Sequence, residues 1–248
     1  MTDHFANVYN DDVRALAYSG LDFPGTYYLA FRDIPELLRK YVSGRRALDF
    51  GCGAGRSSRF LKERDFEVTG VDVSAPMLAH ARERDPGGDY RLVRDGDLGS
   101  LAGGTFDLVL SAFTFDNVPE REARTHLFAQ LRDLLAPAGR IINLVSAPEI
   151  YVNEWASFST REFAENRTAG GGDRVRIVML DVEDRRPVED VLWTDGDYRS
   201  LYAAAGLEVV ELHRPLGTAD DPFDWVSETR TSPGAIYVLD RERSGDFA

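Results

Sequence analysis

The sequence predicts one α/β domain built on a largely parallel sheet with both faces covered, preceded by a helical cap and interrupted by a β insert. Three observations carry this. From Arg45 onward, short apolar runs alternate with helical stretches. Those runs are continuously apolar, as strands buried on both faces are. A glycine-rich turn, Gly51 to Gly55, joins the first run to a helix. The 248 residues correspond to one large domain or two small ones. A chain of this length buries roughly 70–75% of its unfolded surface, so it needs no disulfide or metal staple.

Residues 1–43 read as the cap, with helices over 7–19 and 24–42 separated by Phe23-Pro24-Gly25. Leu29, Ile34, Leu37, Leu38 and Tyr41 fall on one apolar face of the second helix. Residues 44–146 read as the core. Ala47 to Phe50 is the first strand and Arg56 to Arg64 a helix. Phe66 to Val73 is the second strand. Pro76 to Arg84 is a helix with Ser74 as its N-cap. Tyr90 to Val93 and Phe106 to Ser111 are strands three and four. Pro119 to Leu135 is a long helix stopped by Pro137-Ala138-Gly139, and Arg140 to Ser146 is strand five. Residues 147–193 break the rhythm: 174–180 and 188–193 alternate like an antiparallel hairpin. Residues 194–248 return to a helix at 197–205 and strands at 207–213 and 235–239.

Composition excludes several classes of function. Forty-two acidic residues stand against 29 Lys and Arg, a net charge of −13. Only Lys40 and Lys62 are lysines, and no basic patch is clustered, which argues against nucleic acid as a partner. Cys52 is the single cysteine, and His4, His80, His126 and His213 lack metal-ligand spacing, so no metal is expected. No apolar run reaches the roughly 20 residues of a membrane span, and Met1 to Tyr9 carries no apolar signal core. The expected compartment is the cytoplasm. Oligomeric state is not legible.

The informative stretch is Asp49-Phe50-Gly51-Cys52-Gly53-Ala54-Gly55-Arg56. Glycines between a strand and a helix let the backbone approach a ligand, and the helix start offers unpaired N–H groups. Further on, the second strand ends in Asp72, where a carboxylate can accept from both hydroxyls of an adenosine ribose. A dinucleotide site wants a third glycine where this chain has Arg56. Asp49 beside the turn would also repel a pyrophosphate, yet tolerate an ammonium and a sulfonium.

These residues resemble the class I S-adenosylmethionine-dependent methyltransferases of small-molecule type. Asp49 to Gly55 is similar to the family's first motif, and Val71-Asp72-Val73-Ser74 with Met77 to its ribose-binding strand end. Asp95-Gly96-Asp97-Leu98 is similar to its adenine loop, Phe106 to Val109 to its fourth strand, and Leu135 to Arg140 to the turn before its fifth. The resemblance implies a Rossmann-like seven-stranded sheet of order 3-2-1-4-5-7-6 with the last strand antiparallel. It implies S-adenosylmethionine as cofactor, with S-adenosylhomocysteine as product. Asp49, Gly51 and Gly53 would pack on the methionine part, and Asp72 would hold the ribose. Val73 and Met77 would line the adenine, while Asp97 accepts its amino group beside Leu98. Ser111 and Phe113 would lie near the sulfonium. From the cap, Tyr27, Tyr28 and Arg32 would close over the cofactor, with Arg32 pairing with its carboxylate.

The acceptor belongs beyond strands four and five, because ligands lie at the carboxyl ends of such strands. Aromatics interleaved with carboxylates there suit a small amine or hydroxyl. Phe115 and Asn117, with Tyr151 and Trp155, are the expected substrate contacts; Asp116 and Glu149 are the expected catalytic groups. The expected activity is methyl transfer to N or O of a small molecule. Two alternatives stay open: non-methyl-transfer chemistry such as cyclisation on the same cofactor, and a nicotinamide-dependent oxidoreductase.

Overall fold

The computed structural model describes residues 23–94, 97–101, 103 and 105–242. The expected helix at 7–19 and the loop residues Asp95 and Gly96 lie outside them. Four parallel neighbours form one side of the large sheet: β1 (Arg46–Phe50), β2 (Glu67–Asp72), β3 (Asp89–Leu92) at its edge, and β4 (Phe106–Ala112). β5 (Leu135–Ser146) extends it in parallel beside β4. Three short strands, β6 (Phe158–Ser159), β7 (Arg174–Met179) and β8 (Val188–Val191), form a separate antiparallel sheet. β9 (Leu207–His213) and β10 (Gly234–Arg241) return to the large sheet, with β10 antiparallel to both β5 and β9. The large sheet runs β3-β2-β1-β4-β5-β10-β9. Counting only its own strands, that is the order 3-2-1-4-5-7-6.

Alternate residues of the central strands feed two cores. Leu108 and Leu110 of β4 pack with Leu144 and with the helices α1 (Thr26–Arg32), α2 (Ile34–Tyr41) and α3 (Arg56–Lys62). Val109 faces the other way, onto α5 (Arg121–Asp133) and α6 (Asp195–Ala204). Between these, α4 (Ala75–Arg84) covers β3, burying Leu78 and Ala81 against Tyr90. Ser74 caps α4 as expected, accepting from the Met77 N–H.

Two boundaries differ from expectation. The stretch 24–42 is two helices, because Pro35 has no N–H to continue the ladder and its ring crowds the carbonyl four residues back. The Pro137-Ala138-Gly139 segment lies inside β5 rather than in a turn before it. Gly139 allows this: a Cβ there would sit 2.6 Å from the Phe106 carbonyl oxygen. No described helix is long and apolar enough to cross a membrane.

Candidate active site

The glycine turn follows β1. Gly51, Gly53 and Gly55 have φ of +74°, +51° and +79°, a region that L side chains avoid. The Gly51 and Cys52 N–H groups donate to Val71 O, tying the turn to the end of β2. There the Asp72 carboxylate accepts from the Gly53 N–H at 2.8 Å with one oxygen and from the Ser74 N–H at 2.8 Å with the other. Burial raises its pKa above the ordinary carboxylate value. Met77 is buried under Gly53, where a Cβ would lie 2.9 Å from the methionine methyl. Val73 is exposed.

Asp49 is fully buried. Its Oδ2 accepts from Ser57 Oγ at 2.7 Å and Ser58 Oγ at 2.5 Å, while its Oδ1 is buried with no partner. Burial pushes its pKa up to about 6 against the pull of the two serines. Arg56, at the position of the missing glycine, lies over the Tyr27 ring at 4.9 Å and near Phe23 and Phe31. Cys52 packs in the core beside Tyr90, and burial raises its thiol pKa, as an inert thiol requires. Leu98 is buried, and its N–H donates to Gln130 Oε1. Asp97 is exposed and accepts from the Gly99 N–H at 2.7 Å.

The end of β4 links this turn to a cavity. Thr114 Oγ1 donates to Phe50 O at 2.9 Å and fills the space a Gly51 side chain would need. Next to it, Phe113 sits at φ +61°, a strained value for a large residue. Its ring lines a cavity of about 50 Å³ and meets Tyr27 edge-on at 6.3 Å. Tyr27 closes the cavity from the cap, donating to Met179 Sδ at 3.3 Å and packing on Phe158 at 5.1 Å.

Two carboxylates face into this cavity from different elements. Asp116 follows β4 and accepts from the Ser146 N–H at 3.1 Å. Asp190, on β8, accepts from Tyr151 Oη at 3.1 Å. Burial lifts both above the ordinary range, and for Asp190 the neighbouring Asp116 charge adds to it. Burial and Asp190 likewise raise the Tyr151 phenol. Asn117 also lines the cavity; its Nδ2 donates to Phe113 O, and its Oδ1 is buried without a partner.

Several expected contacts are corrected. Phe115 is a core residue stacked on Phe128 at 4.0 Å. Trp155 is buried in the insert core, donating from Nε1 to Ile150 O. Glu149 is absent from the cavity wall and points to Arg214 at 3.8 Å. Arg32 is taken up by Asp33, Asp221 and Leu216 O, leaving no fork for a cofactor carboxylate. Tyr28 packs in a tilted arrangement against Phe223, and Tyr27 is the cap tyrosine that lines the cavity. Ser111 is fully buried in β4 with its Oγ unpaired. Asp190 and Met179 were not anticipated. The signal for Asp190 was present: it shares the inward face of its strand with Val188, where a carboxylate is out of place.

Among the described residues, no group of three or more His, Cys, Asp or Glu is gathered to hold a metal ion. Residues 47–139 match a family described as a methyltransferase domain. Over 237 residues the chain is 28% identical to trans-aconitate 2-methyltransferase of Variovorax paradoxus, spanning 88% of this chain and 84% of that one. The chain spans less than half the length of other curated relatives, such as malonyl-[acyl-carrier protein] O-methyltransferase of Salmonella typhimurium and ubiquinone biosynthesis O-methyltransferase of Alkalilimnicola ehrlichii. The CcbJ methyltransferase of Streptomyces caelestis superposes with a TM-score of 0.65 at 20% identity, covering 95% of this chain and 98% of that one. A S-adenosylmethionine-dependent methyltransferase of Clostridium acetobutylicum does so with a TM-score of 0.60 at 14% identity, covering 96% and 98%. The structural matches show a shared fold, and the sequence match falls on the glycine turn and the strands around it. Residues 47–139 thus carry a methyltransferase domain, and the chain as a whole shares the fold of S-adenosylmethionine-dependent methyltransferases.

Proposed function

We propose that the protein transfers a methyl group from S-adenosylmethionine to a nitrogen or oxygen of a small-molecule acceptor. The observation that carries this reading is the Phe113-Thr114 step. Thr114 seals the back of the glycine turn, and Phe113, one residue away, forms a wall of the acid-bearing cavity. Cofactor turn and acceptor cavity therefore share a wall.

The residues at the turn fit the cofactor. The unpaired, buried Asp49 Oδ1 is an acceptor left over beside the turn, suited to an ammonium. Each Asp72 oxygen spends one lone pair on a backbone N–H and keeps another for a ribose hydroxyl. Buried Met77 and Leu98, with exposed Val73, offer apolar surface for the adenine. Bound S-adenosylmethionine supplies an electrophilic methyl on a sulfonium. The chain's own part is to hold the acceptor in line with it, between Phe113 and Tyr27, away from water. Such positioning lowers a barrier by about 7–11 kcal/mol. Asp116 then takes or steers the acceptor proton. A cytoplasmic, small-molecule role without nucleic-acid or membrane partners fits the acidic, lysine-poor chain.

The test is a thermal-shift titration with S-adenosylmethionine, S-adenosylhomocysteine and NADH in parallel. A ligand at 100 times its dissociation constant adds about 2.7 kcal/mol, or roughly 5–10 °C for a chain of this size. A shift with both adenosyl compounds and none with NADH is expected. A shift with NADH alone would overturn the reading.

A further inference from the structure

Resting on the methyltransferase reading, we infer that the acceptor is an amine, bound and deprotonated between Asp116 and Asp190, and that carboxylate acceptors are rejected. The geometry is one-sided. Among the described residues lining the cavity, the charged side chains are these two carboxylates; Lys, Arg and His are absent. The nearby Arg124 is fully buried and lies off the wall. It spends Nε on Val118 O and Nη1 on Tyr198 Oη, and its guanidinium lies over Trp193 at 4.3 Å. An incoming anion would meet two carboxylates on the wall and no cation there, the off-wall Arg124 being the nearby countercharge, and this is costly in a buried site.

An ammonium finds the complementary wall. It brings donors only, and the cavity presents acceptors: the two carboxylates and Asn117 Oδ1, a buried oxygen with no partner in the protein. The rings of Tyr27, Phe113 and Phe158 line the cavity and add aromatic surface beside which a cation is tolerated. Arg124, the Tyr151 and Tyr198 phenols and Ser146 favour the ionised pair, whereas the neighbouring Glu189 disfavours it at Asp190. Burial holds both carboxyls above their ordinary range, and the Asp116 charge adds to it at Asp190, so the pair is poised to accept a proton near neutrality.

The steps balance. The acceptor arrives as R–NH3+ and passes one proton to the ionised carboxylate, which frees the nitrogen lone pair. The N–CH3 bond forms as the S–CH3 bond breaks, and that electron pair stays on sulfur as a neutral thioether. The product leaves as R–NH2+–CH3, its two N–H protons still directed at the carboxyl pair.

The experiment compares benzylamine, benzyl alcohol and benzoate by calorimetry on the full chain saturated with S-adenosylhomocysteine. This comparison needs no variant. Benzylamine is expected to bind at least tenfold tighter than benzoate, and the preference is expected to collapse in Asp116→Asn and in Asp190→Asn. Each variant is accepted as folded only if it still binds S-adenosylhomocysteine. Benzoate binding as tightly as benzylamine overturns the inference. So does an absence of amine binding to the loaded protein, or a preference that survives in both variants. Failure of S-adenosylhomocysteine itself to bind is a separate result, which removes the methyltransferase reading underneath.

Discussion

Asp72 and Gly51 show how much of the cofactor site rests on single side chains. Asp72→Ala removes the acceptor for the ribose and leaves the Gly53 and Ser74 N–H groups unpaired. Hydrogen bonds to a charged group contribute about 1.5–3 kcal/mol. Affinity for S-adenosylhomocysteine by calorimetry is therefore expected to fall about 10- to 100-fold, and an unchanged affinity would show that Asp72 is only a turn residue. Gly51→Ala places a Cβ 2.1 Å from Thr114 Oγ1, a side chain anchored on Phe50 O, at a φ of +74°. The left-handed conformation alone costs about 1–2 kcal/mol. Adding Thr114→Ala removes the Oγ1 and Cγ2 contacts but leaves a Cβ at 2.7 Å, so it relieves part of the clash and none of the conformational cost, and the double variant should melt between Gly51→Ala and the parent. The turn and Asp72 were legible in the sequence because their spacing is local: strand, turn and next strand end are fixed by chain connectivity. Arg32 and Glu149 were not, because Asp221 and Arg214, which hold them, come from distant parts of the chain. Tyr28 and Tyr27 are adjacent, and only the rotation of α1 decides which one meets the cavity.

At the scale of elements, α1 and the β6-β7-β8 sheet meet over the cavity at Tyr27, next to the Thr26–Ser157 hydrogen bonds that also join the cap to the insert. Tyr27 touches Phe113 of the core and Phe158 and Met179 of the insert, and lies under Arg56 of α3. It also separates the acid-bearing cavity from a smaller one lined by Thr26, Ala30 and Pro215. The larger space, about 50 Å³, holds a few waters and no organic acceptor. Admission of one therefore requires the cap and the insert to part. Tyr27→Ala removes the common contact. Deleting a buried aromatic costs about 3–5 kcal/mol, roughly 6–20 °C in this size range. Hydrogen exchange is expected to rise in 147–193 as well as in α1, while β1 and β4 keep their protection. Faster exchange confined to α1 would show that the insert closes without the cap. The existence of the insert hairpin was legible from its alternation. Its role was not, since Asp190 reaches the site only when β8 folds against the turn that follows β4. The long helix expected over 24–42 failed at Pro35, where a local rule outweighed an apolar periodicity that continues across the break.

For the whole molecule, the buried carboxyls set how stability varies with pH. A carboxyl whose pKa is higher folded than unfolded binds more protons in the folded state between the two values, so stability falls as pH rises through that interval. Burial puts Asp49 in this class, with an interval from about 3.9 unfolded to about 6 folded. Asp116 and Asp190 follow in the same direction, Asp190 furthest because burial and the Asp116 charge act together. The opposite sign belongs to Asp89, held low by Arg91, and to Glu211, held low by Lys40 and Tyr41. Their contributions are present above the unfolded value and are lost as pH falls below about 4; exposure keeps each small. The net charge of −13 adds repulsion as pH rises. Melting temperature is thus expected to peak in mildly acidic buffer, near pH 5, and to decline steadily toward pH 8.5. Charge repulsion alone would give a decline that Asp190→Asn leaves parallel to the parent. Removing the carboxyl that titrates highest should instead flatten the alkaline side while leaving the acid side in place. Melts of parent and variant from pH 4 to 8.5 decide this, and parallel curves would mean that Asp190 is ionised in the folded protein throughout.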